Sequence, residues 1–194
     1  MRLETSIFLV VGTMSIASCS SRNINSSWRQ EVRNDEFSVS ASFPASDTVC
    51  ESQSGGSPRG FYVIYDGAVG ACDLDPHRDK SYGIYASFNS TDLDAPEDLF
   101  PYPCMDLTSI ETLRSQVSNL RIKNTSSSLC VSRPPTGGYS ISIAAQAGRW
   151  PNVGLDGSYP PHRNYVASLT TPGIPTTEDV LLFSIFVRSV IISG

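Results

Sequence analysis

The sequence predicts an α+β domain: an antiparallel sheet packed against two helices, a sandwich held by two disulfides. The segment 37–43 alternates apolar and small polar residues, as a half-buried strand does, and the segment 60–65 is predicted as a second strand. Two other segments repeat apolar residues at helical spacing behind a capping residue. Four cysteines lie beyond residue 49, and an even number is typical of a disulfide framework.

The strand pattern recurs along the chain. The first strand stops at Pro44, because proline lacks the N–H that a ladder needs. The second ends at Asp66-Gly67, a dipeptide typical of tight turns. Further strands are predicted over 82–88, 128–132, 138–145 and 164–171.

The first predicted helix opens at Thr108, which can cap the free amides while Glu111 reaches back to form a capping box. Its apolar positions are Ile110, Leu113, Val117 and Leu120. The second begins behind Thr176, with Asp179 three residues later. That last segment is apolar on all sides, which also suits a buried strand, and we interpret it as a helix over 177–188 followed by a short strand to 193.

The amino end has the layout of a secretory signal peptide. A short basic start at Arg2 precedes an apolar run over 7–15 and Ile16-Ala17-Ser18, which ends in two small residues. The run is too short for a transmembrane helix, which needs about 20 apolar residues. The next residue, Cys19, makes the segment resemble a bacterial lipoprotein signal; the alternative is plain secretion.

That resemblance implies cleavage before Cys19, a diacylglycerol on its sulfur and an acyl group on its new amino end. Ser20 and Ser21 follow without an aspartate, a pattern that resembles outer-membrane sorting. The predicted organisation is therefore a signal peptide over 1–18, an anchor and flexible tether over 19–30, and a single globular domain over 31–194. The protein is expected in the periplasm, tethered to the outer membrane.

Composition limits the partners. The 194 residues carry 14 lysines and arginines against 19 acids, a net charge of −5. An acidic surface repels nucleic-acid phosphates, so no nucleic-acid partner is expected. A cationic protein is a compatible partner.

The cysteines other than Cys19 predict two disulfides, because an exported chain meets an oxidising compartment. Three pairings are possible. We favour Cys50 with Cys72 and Cys104 with Cys130, since each pair brackets one compact segment. No Cys-x-x-Cys or His-x-x-His spacing occurs, so we predict no metal site and no cofactor.

Catalytic motifs are absent from the sequence: it contains no Gly-x-Ser-x-Gly, Ser-x-x-Lys or His-Glu-x-x-His. The segment 73–79, which contains His77, faintly resembles a calcium loop but lacks its central glycine and distal acid. We interpret it as a solvated polar turn and predict that the protein is not an enzyme.

The best predicted binding segment is the loop over 149–165, because tryptophan, tyrosine and arginine supply most interface hot spots. Its partner-binding candidates are Trp150, Tyr159, His162, Arg163 and Tyr165. The alternative is that Trp150 packs under its own loop. A second candidate is the acidic stretch with Asp92 and Asp94, which either steers a basic partner or is simply a solvated loop.

One further resemblance covers residues 37–89. The residues that carry it are Phe43-Pro44, Val49-Cys50, Ser54-Gly55, Gly60-Phe61-Tyr62 and Cys72, followed by Gly83-Ile84-Tyr85-Ala86 and Asn89. They resemble small lipoproteins encoded beside type VI secretion effectors. The resemblance implies an immunity protein that binds and blocks a toxin delivered into the periplasm, commonly a phospholipase. The alternatives are a lysozyme-inhibitor-like lipoprotein and a structural lipoprotein of the envelope.

Overall fold

Two antiparallel sheets make up most of the computed structural model of the chain. It describes residues 29–35, 37–54, 57–67, 72–87, 96–100, 102–106, 117–148 and 163–193. In these ranges the strands are β1 (Arg29–Asn34), β2 (Val39–Pro44), β3 (Val49–Ser54), β4 (Ser57–Tyr65), β5 (Lys80–Ser87), β6 (Ser126–Ser132), β7 (Tyr139–Ala147), β8 (Arg163–Thr171) and β9 (Ile191–Ile192). A 3-10 helix spans Pro96–Leu99, and helix α1 spans Thr177–Ser189.

The larger sheet has six strands in the order β3-β4-β5-β8-β7-β6, and the smaller has three in the order β1-β2-β9. Every neighbouring pair is antiparallel. Helix α1 lies beside β2, where the Ser189 hydroxyl accepts from the Ser42 amide at 2.9 Å. The small sheet and α1 together cover one face of the large sheet.

The prediction of two packed helices is wrong: the fold is mostly antiparallel β, and the described residues contain one α-helix. The predicted helix from Thr108 lies largely in residues 107–116, outside the described residues. In the described chain that follows, Val117 is helical and residues 118–119 form a turn, in which the Leu120 amide donates to the Val117 carbonyl at 2.9 Å. Both side chains are buried in the main core.

The helix predicted near the carboxyl end is present as α1. Its capping box is formed, because the Thr176 hydroxyl accepts from the Asp179 amide and the Asp179 carboxylate accepts from the Thr176 amide. Two strands were not predicted, β1 and β3. The first of them includes Arg29 and Gln30, which sequence analysis placed in the tether.

The main core fills the space between the two layers. The Phe43 ring lies 5.6 Å from Phe61, 5.8 Å from Tyr82 and 5.2 Å from Phe186, measured between ring centres. These rings join β2, β4, β5 and α1. Burying aromatic side chains supplies much of the hydrophobic stabilisation of a domain of this size.

The opposite, outer face of the large sheet is built differently. Its row of directly paired residues across all six strands is Cys50, Tyr62, Gly83, Ser168, Ser142 and Cys130. A small second apolar cluster forms where Leu99 and Phe100 pack on Ala144 and Val166. The outer face therefore has small polar residues at its centre and a cysteine at each end of one row.

Both cysteines of that row form disulfides, Cys50 with Cys72 and Cys104 with Cys130. These are the two pairs that sequence analysis favoured. Each joins an edge strand of the large sheet to a segment without regular structure. In the part of the chain that the structure describes, no helix has the length and apolar character needed to cross a bilayer.

Candidate functional site

The segment Cys72–Asp79, which we call the disulfide-held turn, is the described part of the chain that leads directly into β5. The Cys50–Cys72 disulfide attaches its beginning to β3, with the two Cα atoms 5.5 Å apart. The Tyr62 hydroxyl, on β4, donates to the Cys72 carbonyl at 2.6 Å. One covalent bond and one hydrogen bond thus fix the start of the turn to two neighbouring strands.

Hydrogen bonds within the turn fix the rest of its backbone. The Asp75 carbonyl accepts from the Arg78 amide at 3.1 Å and from the Asp79 amide at 2.7 Å. The Asp75 carboxylate accepts from the His77 amide at 2.9 Å, an aspartate turn. These bonds leave the turn little conformational freedom to lose on binding.

Asp79 is the internal anchor of the turn. Its side chain is 1% exposed, and it accepts from the Asp75 amide at 3.0 Å and from Arg78 Nε at 2.9 Å. The hydrogen bond from Arg78 is the main reason that the pKa of Asp79 lies below its ordinary value. The same bond raises the pKa of Arg78. Gly67 permits this packing, since a Cβ there would lie 2.7 Å from Ile64 Cγ2 and 3.1 Å from Asp79 Oδ1.

The exposed surface of the turn combines one large apolar side chain with charge. Leu74 is 41% exposed and lies between the exposed residues Asp73 and Asp75. Tyr62, on the adjoining strand, is partly buried, and its pKa is raised first by burial and then by the negative charge of Asp73. The turn therefore presents a leucine between two carboxylates on a fixed backbone.

Leu74 differs in its setting from the other exposed large apolar side chains among the described residues. These are Ile174, Leu181 and Ile191. Single exposed apolar residues are normal on protein surfaces. Leu74 is the one among the four that lies on a segment fixed by a disulfide, so its position is defined before any partner arrives.

Lys80 connects the end of the turn to the second layer. Its ammonium lies 2.9 Å from the Asp179 carboxylate at the start of α1 and 3.4 Å from Asp66. The same Asp179 oxygen accepts from the Tyr65 hydroxyl at 3.0 Å. Burial opposes ionisation of Asp179, but its hydrogen bonds from Thr176, Lys80 and Tyr65 outweigh this and lower its pKa.

Two of the predicted partner-binding residues are interior. Arg163 is 4% exposed, and its guanidinium donates to the carbonyls of Gly148 and Ser193. Tyr165 is fully buried and donates from its hydroxyl to the Phe37 carbonyl. Burial raises the pKa of Tyr165 to about 12. Both side chains join β8 to the second layer, and in this structure neither presents a surface to a partner.

The remaining predicted site residues lie outside the described residues. They are the lipidation candidate Cys19, the loop residues Trp150, Tyr159 and His162, and the acidic residues Asp92 and Asp94. Their roles stay predictions.

The sequence predicts a solvated polar turn at the disulfide-held turn and no binding segment there. A usable signal was present, because a cysteine directly precedes a run with three aspartates and a proline around one leucine. Such a run is held at one end and rich in residues that bond their own backbone. Among the described residues, no group of three or more histidine, cysteine or acidic side chains is placed to hold a metal ion.

Comparisons with known proteins return no relative: no family model, curated protein or solved structure matches the chain.

Proposed function

We propose that the protein is an exported, lipid-anchored inhibitor that binds a toxin acting in the periplasm, in the manner of a type VI secretion immunity protein. We further propose that the disulfide-held turn contributes to the contact. The observation that carries the proposal is Leu74, exposed between two carboxylates on a turn locked by a disulfide and its own hydrogen bonds.

The form of the turn supports binding to a protein. Apolar side chains fixed before association lose little entropy when they enter a pocket, so more of the contact energy appears as affinity. The flanking carboxylates of Asp73 and Asp75 favour a pocket with a basic rim. The net charge of −5 favours the same kind of partner over long distances.

The cysteine count supports export and anchoring. The chain has five cysteines, and the two disulfides use four of them. The fifth is Cys19, directly behind the small residues of the signal-like segment. Disulfides of this kind persist in oxidising compartments such as the periplasm.

The resemblance of residues 37–89 to lipoproteins encoded beside type VI effectors supplies the kind of partner. In this proposal the anchor concentrates the inhibitor at the membrane that the toxin attacks. The turn inserts Leu74 into the toxin, and binding blocks the toxin in a one-to-one complex. A phospholipase is the toxin class that the resemblance favours.

The test is protection against a phospholipase encoded next to this gene and directed to the periplasm. The full chain should restore growth of cells that make the toxin. Leu74→Arg should lower toxin affinity by roughly thirtyfold or more, because a hot-spot side chain is lost and a charge enters its pocket. Ile191→Arg is the matched control, since Ile191 is 58% exposed on β9 of the small sheet, which does not include the turn, and should leave protection unchanged.

Equal protection by Leu74→Arg and wild type would remove the turn from the contact. If the wild type protects against no neighbouring toxin but inhibits lysozyme, the immunity function fails and the lysozyme-inhibitor class replaces it. Failure in both assays leaves a structural lipoprotein and also overturns the proposal.

A further inference from the structure

The outer strand of the small sheet, β1, has a charge pattern that complements itself. Its side chains alternate, with Arg29, Glu31 and Arg33 exposed and the residues between them half-buried. Asp35 follows on the same side, 80% exposed, and pairs with Arg33. The exposed side therefore reads basic, acidic, basic, acidic.

Strand β1 stands at an edge of its sheet. It pairs with β2 on one side, and no other described strand pairs with it. An edge strand has backbone N–H and C=O groups directed away from its sheet, and these can pair with another strand. A second β1 running antiparallel is the simplest occupant, because a two-fold axis makes both contributions identical.

In one antiparallel register, every charged side chain from Arg29 to Asp35 lies opposite a side chain of opposite charge in the second copy. When Val32 faces the Val32 of the second copy, Glu31 lies opposite Arg33 and Arg29 lies opposite Asp35, each twice by symmetry. The half-buried side then pairs Gln30 with Asn34. Opposite charges directly across a strand pair are stabilising.

Both neighbouring registers with matching faces are disfavoured by the same residues. Moving one copy by two residues one way places Glu31 opposite Glu31 and Arg29 opposite Arg33; moving it the other way places Arg33 opposite Arg33 and Glu31 opposite Asp35. Like charges directly opposite are destabilising. Charges on an edge strand commonly prevent it from pairing with another strand. Here the alternating charges of β1 repel each other in a shifted register and attract each other in the register centred on Val32.

We propose that two copies of this chain associate through antiparallel pairing of β1, which joins the two small sheets into one six-stranded sheet across a two-fold axis. The contact is one short strand per copy, smaller than a standard interface, so the association is weak and concentration-dependent. The proposal does not depend on the proposed inhibitory function.

The experiment uses sedimentation of the full chain carrying Cys19→Ser, which excludes an acyl group at that residue as a cause of association. The dimer fraction should rise with concentration and fall with added salt, because exposed charge pairs are screened. Glu31→Arg and Arg33→Glu should each weaken dimerisation by roughly tenfold or more, since each turns two attractive pairs into repulsive ones.

Mixing the two variants gives the decisive result. In the mixed pair, arginines at 31 and 33 of one chain face glutamates at 33 and 31 of the other, so a heterodimer should form where neither variant dimerises alone. The double variant, Glu31→Arg with Arg33→Glu, should dimerise as the wild type does. A wild type that is monomeric at every concentration, or a mixture that fails to associate, would overturn the proposal. Unchanged melting temperatures of the variants exclude misfolding as the cause.

Discussion

The two faces of the large sheet are stabilised by different means. The inner face carries aromatic and aliphatic side chains of β4, β5, β7 and β8, and the small sheet and α1 seal it from water. The outer face has glycine and serines at its centre, with a small apolar cluster around Leu99. Two disulfides attach segments of irregular structure at its edges. The disulfides thus hold the irregular segments on the outer face, where few apolar side chains are available to hold them by packing.

The largest effect is expected on the inner face. Phe186→Ala should lower the free energy of unfolding by about 3–5 kcal/mol, because it removes a buried ring and leaves a cavity among Phe43, Tyr82 and Phe183. Ser168→Ala, at the centre of the outer face, is the control; Ser168 is half-buried and the change removes a single hydroxyl, so the loss should be well below that of Phe186→Ala. Denaturant unfolding measures both. Equal losses of unfolding free energy in the two variants would contradict the proposed difference between the two faces.

The next effect concerns the disulfides. Replacing either pair by alanines should cost roughly 3 kcal/mol, because the closed loops, with sequence separations of 22 and 26, restrict the unfolded chain. Thermal unfolding of each double variant, with and without reductant, provides the measurement. Wild type and variants should melt at the same temperature in reductant. A reductant that leaves the wild-type melting temperature unchanged would contradict the assigned role of the two bonds.

The smallest effect is at the junction of the layers, where the Asp179 side chain completes the capping box of Thr176 and accepts from Lys80. Asp179→Asn should cost about 1 kcal/mol at neutral pH, the usual value of a helix cap. The folded pKa of Asp179 is lowered, so its contribution is present above the unfolded pKa of about 4 and is lost as pH falls through the folded pKa. The stability gap between wild type and variant should therefore close in acid. A gap that stays constant from pH 7 to about pH 2 would show that the charge of Asp179 does not stabilise the fold.

Local pattern was enough to predict most of the large sheet. Alternation predicted β2 and β7, other strand-like segments predicted β4, β5 and β8, and the capping box at Thr176 predicted α1. Strand β1, which pairs with β2, was not predicted because Val32 is its single apolar residue. Its sequence therefore shows no alternation of apolar and polar residues.

The candidate site was less predictable, because tertiary contacts create it. The disulfide-held turn depends on Cys50, 22 residues earlier, and on the Tyr62 hydroxyl of a neighbouring strand. The prediction for Tyr165 used residue type alone, although Tyr165, Ala167 and Leu169 alternate as one buried face of β8. Residue type does not distinguish an interface tyrosine from an interior one.

The placement of both disulfides on one row of the large sheet has a mechanical consequence. A force applied at the amino end of β1 acts where Arg29 pairs with Pro44, so it opens the β1–β2 hairpin one residue pair at a time. When the unfolding chain has been extended as far as Cys50, the disulfide to Cys72 prevents the chain between these two cysteines from extending. The second bond, between Cys104 and Cys130, withholds another segment. Under tension the small sheet should yield first, while the two cross-linked segments cannot extend.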